Sequence, residues 1–168
     1  MISAVTVKTT RCLVVHCPGI GTAGNQIARW PDSRSYRPTM ATIERFGSGG
    51  PYEEAVGYSR VVRAGAHVWV SGCTSVAADG TVRGDTHGEQ MSIAIGNVVK
   101  ALEQAGATAA DVVRTRMYVT DASKAAEVGR AHGAVFGDIR PASAMIEVKG
   151  FIDPHMLVEI EADAFVAE

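Results

Sequence analysis

The stretch LVEIEADAF, residues 157–165, sorts its side chains into two rows with a period of two. Val158, Ile160, Ala162 and Ala164 make one row, and Leu157, Glu159, Glu161 and Asp163 make the other. Alternate residues of a β-strand point to opposite sides, so this segment is a strand with an apolar face for a core and an acidic face turned elsewhere. The rest of the chain must therefore supply a cover for the apolar row and a neighbour, water or protein, for the acidic one.

The cover is legible upstream. Residues 87–105 place Met91, Ala94, Ile95, Val98, Leu102 and Ala105 at steps of three and four, which predicts an amphipathic helix stopped by Gly106. A second helix is predicted from about Ser123 to Phe136, with Ala125, Val128, His132, Val135 and Phe136 on one face and Gly137 after it. Between them TAADVVRTRMYVTD opens on a Thr cap with Asp three residues on and becomes a strand at 113–119. GYSRVVRAG (57–65) and HVWVSGCTSV (67–76) read as two strands closed by Ala64-Gly65-Ala66, and ASAMIEV (142–148) as the strand before KGFIDPH. The order ββαβαββ gives an α+β fold, one mixed sheet with two helices on one face. Its other face is uncovered. The acidic row there either meets water or, with Trp69 and Met145 expected on the same face, meets a partner. A homo-oligomer with sites between subunits is the sharper of these readings.

The 168 residues, 46% hydrophobic and 20% charged, suit a globular protein with one main domain. That domain is expected over 40–168. Residues 1–39 carry no sustained period and are expected to be a poorly ordered or non-native extension, with Met40 as a possible internal start. Gly19, Gly21 and Gly24 match the spacing of a dinucleotide fingerprint, but Trp30-Pro31 breaks the helix that the motif requires. A net charge of −2 and a pI of about 6.2 give no general pull toward nucleic acid or an anionic membrane. Neither a signal peptide nor an apolar run of roughly 20 residues is read. Three cysteines, Cys12, Cys17 and Cys73, without a CxxC pair point to a reducing, cytoplasmic setting.

Several chemistries are unsupported. Histidines 16, 67, 87, 132 and 155 show no HxH, HxxxH or HExxH spacing, so no metal is expected. VSGC is not a GxSxG elbow, Cys73 has no base beside it in sequence, and His132 on an apolar helix face reads as a hydrogen-bonded core histidine.

The segments GYSRVVRAG, VWVSGCT, VVRTRMYVTD, AHGAVFGDIRPASAMIEV and LVEIEADA together resemble the Rid family, the RidA/YjgF-type proteins also called L-PSP endoribonucleases, over roughly 46–168. The resemblance implies a chorismate-mutase-like fold, a homotrimer with its sheets packed inward, and three clefts at subunit interfaces. It implies hydrolysis of enamines and imines, such as 2-aminoacrylate, to a keto acid and ammonia, without cofactor or metal.

The resemblance assigns roles position by position. Tyr58 falls on the tyrosine that lines the cleft, Ser71 and Gly72 on the Ser-Gly pair that shapes its wall, and Glu159 on the glutamate that positions the hydrolytic water. Active deaminases of this kind carry Pro-Ala-Arg, whose arginine pairs with the substrate carboxylate. This chain has Pro141-Ala142-Ser143, with Met145 in place of a cysteine and Gly129 in place of an asparagine. A serine hydroxyl cannot replace a bidentate guanidinium, whose charged hydrogen bonds are worth roughly 1.5–3 kcal/mol each. Arg140 precedes a proline, is expected extended, and reads as a hinge residue. Arg60, two residues after Tyr58, either enters the cleft or makes an ion pair, as do Arg114 and Arg116 on one face of the third strand.

The functional expectation is thus a hydrolytic deaminase of the Rid type. Its substrate would be an imine, enamine or related carbon–nitrogen electrophile other than 2-aminoacrylate, with Glu159 as acid/base and a small molecule and further copies of itself as partners. The alternative is a non-catalytic trimer that binds a metabolite or regulates an enzyme. Ribonuclease activity finds no support in a chain without a basic, aromatic strip.

Overall fold

The structure, a computed structural model, describes residues 42–167. The expected extension over 1–39, with Cys12, Cys17 and the Gly19/Gly21/Gly24 motif, lies outside them. Apolar periodicity does what the sequence predicts in the longer helix. Met91, Ala94, Ile95, Val98, Leu102 and Ala105 of His87–Gln104 (α2) and its end are all buried. Burying each of the larger ones contributes about 1.5–3 kcal/mol. A capping box starts this helix, Glu89 N donating to Thr86 Oγ1 while the Glu89 carboxylate accepts from Thr86 N. Arg63 reaches over from a neighbouring strand and donates to the Ala105 carbonyl at its end, 2.7 Å away.

The strands are β1 (Ile43–Phe46), β2 (Val61–Ala64), β3 (His67–Cys73), β4 (Val112–Val119), β5 (Ala142–Glu147) and β6 (Val158–Phe165). They form one sheet in the order β1-β2-β3-β6-β4-β5, antiparallel except for β4 beside β5. A parallel pair needs a crossover. Ala125–Phe136 (α3) supplies it, and α2 makes the connection from β3 to β4. Both pack on the face that carries Val158, Ile160, Ala162 and Ala164, the central row of the core. The chain is an α+β protein with a mixed sheet. Among the described residues no helix is long and apolar enough to cross a membrane.

Because β6 lies between β3 and β4, its acidic row runs down the middle of the open face. Glu159, Glu161 and Asp163 are register neighbours of Tyr118, Arg116 and Arg114. Arg116 donates to Glu161 at 3.4 Å and to Asp163 at 3.3 Å. Trp69 stacks on His67 beside this row and remains 44% exposed.

Several expectations are corrected. Strand β1 and a short helix, Pro51–Val56 (α1), extend the predicted ββαβαββ order. Both are too short to show a period, and β1 pairs only at the sheet edge. Tyr58 and Arg60 precede β2 instead of lying in it. In α3, Val128 and Phe136 are buried, but Ala125 and Val135 are exposed, because only one narrow side of this helix meets α2 and the sheet. Met145 does not share the open face with Trp69: it pairs with Met117 and packs toward the core, leaving Ala144 and Ile146 on the open side. Arg140 is not extended; its φ is +55°, the left-handed turn that ends α3, with Arg140 N donating to Phe136 O at 2.8 Å.

Candidate functional site

One irregularity in the sheet builds the site. Val70 pairs with Ala162 and Cys73 with Ile160, so β3 uses one residue more than β6 between these pairs. The extra residue makes a β-bulge at Ser71-Gly72. Ser71 is tied to the segment before β2, its Oγ donating to Ser59 O at 2.7 Å and its N to Arg60 O at 3.0 Å. Gly72 has no such side chain, and the space is needed: a Cβ there would sit 2.5 Å from Glu159 Oε1. The Glu159 carboxyl group therefore lies across the bulge backbone.

Glu159 is half-buried, and among the described residues no hydrogen bond reaches its carboxylate. Burial pushes its pKa above the ordinary carboxylate value, the Glu161 charge two residues on pushes the same way, and Arg60 opposes both. A half-buried carboxylic acid with a raised pKa is a better proton donor and acceptor partner for neutral-pH chemistry than an exposed one.

Arg60 is committed to the scaffold. Its guanidinium donates to Gly72 O, to Ser71 O at 3.4 Å and to Tyr58 Oη at 3.0 Å, and makes a sulfur contact with Cys73 at 3.6 Å. Glu53 of α1 approaches its Nε at 3.8 Å, and that carboxylate in turn accepts from Ser48 N and Ser48 Oγ. Sequence reading missed Glu53, since a contact seven residues away across a turn leaves no periodic trace. Tyr58 is half-buried, with Arg60 5.5 Å from its ring centre. Cys73 is a buried, free thiol whose pKa is raised chiefly by that burial. A cleft of about 490 Å³ opens on the α2 side of the bulge, bounded by Ser48, Arg60, Cys73, Thr74, Asn97 and Lys100. Glu159 lies on the other side of the sheet from α2 and does not line it.

The remaining expected site residues stand apart. Ser143 and Met145 project from β5 to the helix-covered side, two strands from β6, whereas Glu159 projects to the open side. Ser143 is exposed and hydrogen-bonded to Thr115 at 3.0 Å, and Thr115 to His132 at 3.0 Å. Thus Tyr58, Arg60, Ser71, Gly72 and Glu159 gather around the bulge, while Ser143 and Met145 belong to a second cluster in the same chain. The pairing of Thr115 with His132 escaped the sequence, in which His132 reads as a hydrogen-bonded core histidine and nothing marks Thr115. Among the described residues no three His, Cys, Asp or Glu side chains converge as metal ligands would.

The family model described as Endoribonuclease L-PSP matches residues 51–166. A crystal structure of a Mycobacterium tuberculosis member of the YjgF/YER057c/UK114 family is 50% identical, with a TM-score of 0.69, covering 74% of this chain and all of that one. An uncharacterized Streptomyces coelicolor protein is 37% identical over 128 residues, 76% of this chain and 95% of its own length. A RutC family protein of Pyrococcus abyssi is 31% identical over 110 residues, 64% of this chain and 85% of its own.

Proposed function

Because the chain belongs to the endoribonuclease L-PSP family, whose members include the YjgF and RutC proteins, we propose that it is a hydrolytic deaminase acting on an imine, enamine or related carbon–nitrogen electrophile other than 2-aminoacrylate. The observation that carries this reading is Glu159, a half-buried carboxyl group of raised pKa seated across the Gly72 backbone. Ionised, Glu159 takes a proton from water as the oxygen adds to the carbon of the C=N bond, and then returns it to nitrogen. Glu159 then takes the hydroxyl proton of the resulting carbinolamine and delivers it to the amine as the C–N bond breaks, releasing ammonia and leaving a carbonyl product. No step needs a metal or an organic cofactor.

The site is completed between copies in this reading. Ser143 and Met145 cannot face the Glu159 of their own chain, so we assign them to the opposing wall of a cleft shared with a neighbouring subunit. The half-charged, half-apolar open face supports a homotrimer, since Trp69, Ile146 and Phe165 are exposed there beside matched Arg116, Glu161 and Asp163. The same matching leaves no basic strip for RNA on this face. A free, buried Cys73 thiol is in keeping with a cytoplasmic setting.

Ser143 is what turns the reading away from 2-aminoacrylate, because a hydroxyl offers a substrate carboxylate neither charge nor a fork of donors. Ammonia release from freshly generated imines tests the proposal. Neutral imines are expected to turn over, and Glu159→Gln to lower kcat by about 10²-fold or more. Turnover of 2-aminoacrylate at the rate of an arginine-containing relative would overturn the substrate assignment. Unchanged ligand binding with no turnover of any imine would instead favour a metabolite-binding or enzyme-regulating trimer.

A further inference from the structure

Three side chains from three elements form a continuous hydrogen-bonded line behind the β5 edge. His132 Nε2 on α3 lies 3.0 Å from Thr115 Oγ1 on β4, which lies 3.0 Å from Ser143 Oγ on β5. Thr115 is fully buried, His132 half-buried against the Phe136 ring, and Ser143 exposed. The line therefore joins a surface hydroxyl to an interior imidazole.

Its direction has only two settings. The Thr115 hydroxyl has one hydrogen, so it gives to one neighbour while accepting from the other. A neutral imidazole either gives or accepts at Nε2, and Ser143 can then present a lone pair or a hydrogen to a ligand. A protonated imidazole can only give. Thr115 must then accept from His132 and donate to Ser143, and the Ser143 hydrogen is left pointing outward with a positive charge behind it.

We propose that Ser143, Thr115 and His132 form a ligand-binding arm whose hydrogen-bond polarity is set by the imidazole: it takes neutral amide, imine or carbonyl groups when His132 is uncharged and carboxylates when it is charged. The arm rests on the functional reading above only in placing Ser143 at the ligand. It makes His132 a specificity-determining residue that acts without touching substrate.

Burial is the single cause that lowers the His132 pKa from its ordinary value. The charged groups on the elements packed around it add nothing to that shift. These are Glu127 and Arg130 on α3, Arg114 and Arg116 on the far side of β4, Glu147 on β5, Asp111 before β4, and His87, Glu89, Lys100 and Glu103 on α2. The uncharged setting thus holds at neutral pH, and the charged one appears only below the ordinary imidazole value.

The test uses propionate and propionamide, ligands of one shape that differ in charge. Dissociation constants are measured by NMR on the Glu159→Gln protein, so that the perturbed Glu159 carboxyl group does not contribute. Between about pH 8 and about pH 5.5 propionate is expected to bind roughly threefold tighter or more, as one partly screened charge would produce, with propionamide unchanged. Thr115→Val and His132→Phe should flatten that dependence, and Thr115→Ser should keep it. A pH dependence that survives both flattening variants, or propionate binding that is equal at the two pH values, overturns the arm. Propionate binding with no shift at the Ser143 amide overturns the placement of Ser143 at the ligand instead. Should Thr115→Val not fold, the His132 ring decides: Ser143→Ala must move its tautomer balance, and an unchanged ring overturns the line.

Discussion

At Gly72 a missing Cβ makes room for the carboxyl group on which the proposed chemistry depends. Gly72→Ala would bring carbon to 2.5 Å from Glu159 Oε1, so either the side chain swings off the bulge or the bulge shifts. Activity is expected to fall at least tenfold, with the loss greater than the loss of stability, measured side by side by turnover and thermal unfolding. Glu159 itself carries a stability cost. Its folded-state pKa is raised, so the folded protein holds a proton that the unfolded chain has already released. Stability from this group is full below the unfolded carboxylate value and is lost as pH rises through the folded one. Glu159→Gln is therefore expected to raise Tm at neutral pH and to do so little at about pH 4, where both states are largely protonated. His132 has the opposite slope. With its pKa lowered, the folded state resists protonation, and stability falls as pH drops below the ordinary imidazole value. His132→Phe should flatten that acid limb in a thermal-shift series.

Among the elements, the bulge in β3 and the turn after α3 are two departures from regularity that bear on the site. Arg60 holds the first by donating to Gly72 O and Ser71 O, so its loss acts on the strand and, through it, on Glu159. Arg60→Met is expected to lower Tm and to raise the Glu159 pKa further, because it removes a charge that opposes the effect of burial there; a carboxyl-observed NMR titration reads the shift. The turn after α3 places a non-glycine residue, Arg140, at φ +55°. Such a residue pays roughly 1 kcal/mol that glycine does not, so Arg140→Gly should stabilise by about 0.5–1 kcal/mol in denaturant unfolding. The elements the sequence resolved well were those with several turns or a clean alternation. The α2 row and the β6 row were legible because each repeats its period at least four times. A four-residue edge strand and a six-residue helix have no repeat to read, which is why β1 and α1 were missed.

For the whole molecule, the open face of the sheet sets the expected assembly. Trp69, at 44% exposure beside the ion pairs of Arg116, is left uncovered by the other described residues. Trp69→Glu adds a like charge next to its register neighbour Asp163 and should shift the protein toward monomers in light scattering, while leaving the far-UV spectrum of the fold intact. If the cleft is shared, turnover must fall with the trimer fraction. A fully active monomer would break the link between assembly and site.

The sequence by itself determined the α+β class, the helix-covered row of β6 and the family, because these rest on local periodicity and on short motifs, and through the family resemblance it put Glu159 forward as the proposed acid. Only the tertiary structure decided which face each β5 residue takes, and that Ser143 and Glu159 of one chain point to opposite sides of the sheet. Strand order and register are long-range choices: β6 inserts between β3 and β4, and β5 lies parallel outside β4. Nothing in a ten-residue window encodes that order, yet it separates the two clusters and brings Thr115 and His132, from different elements, behind the serine.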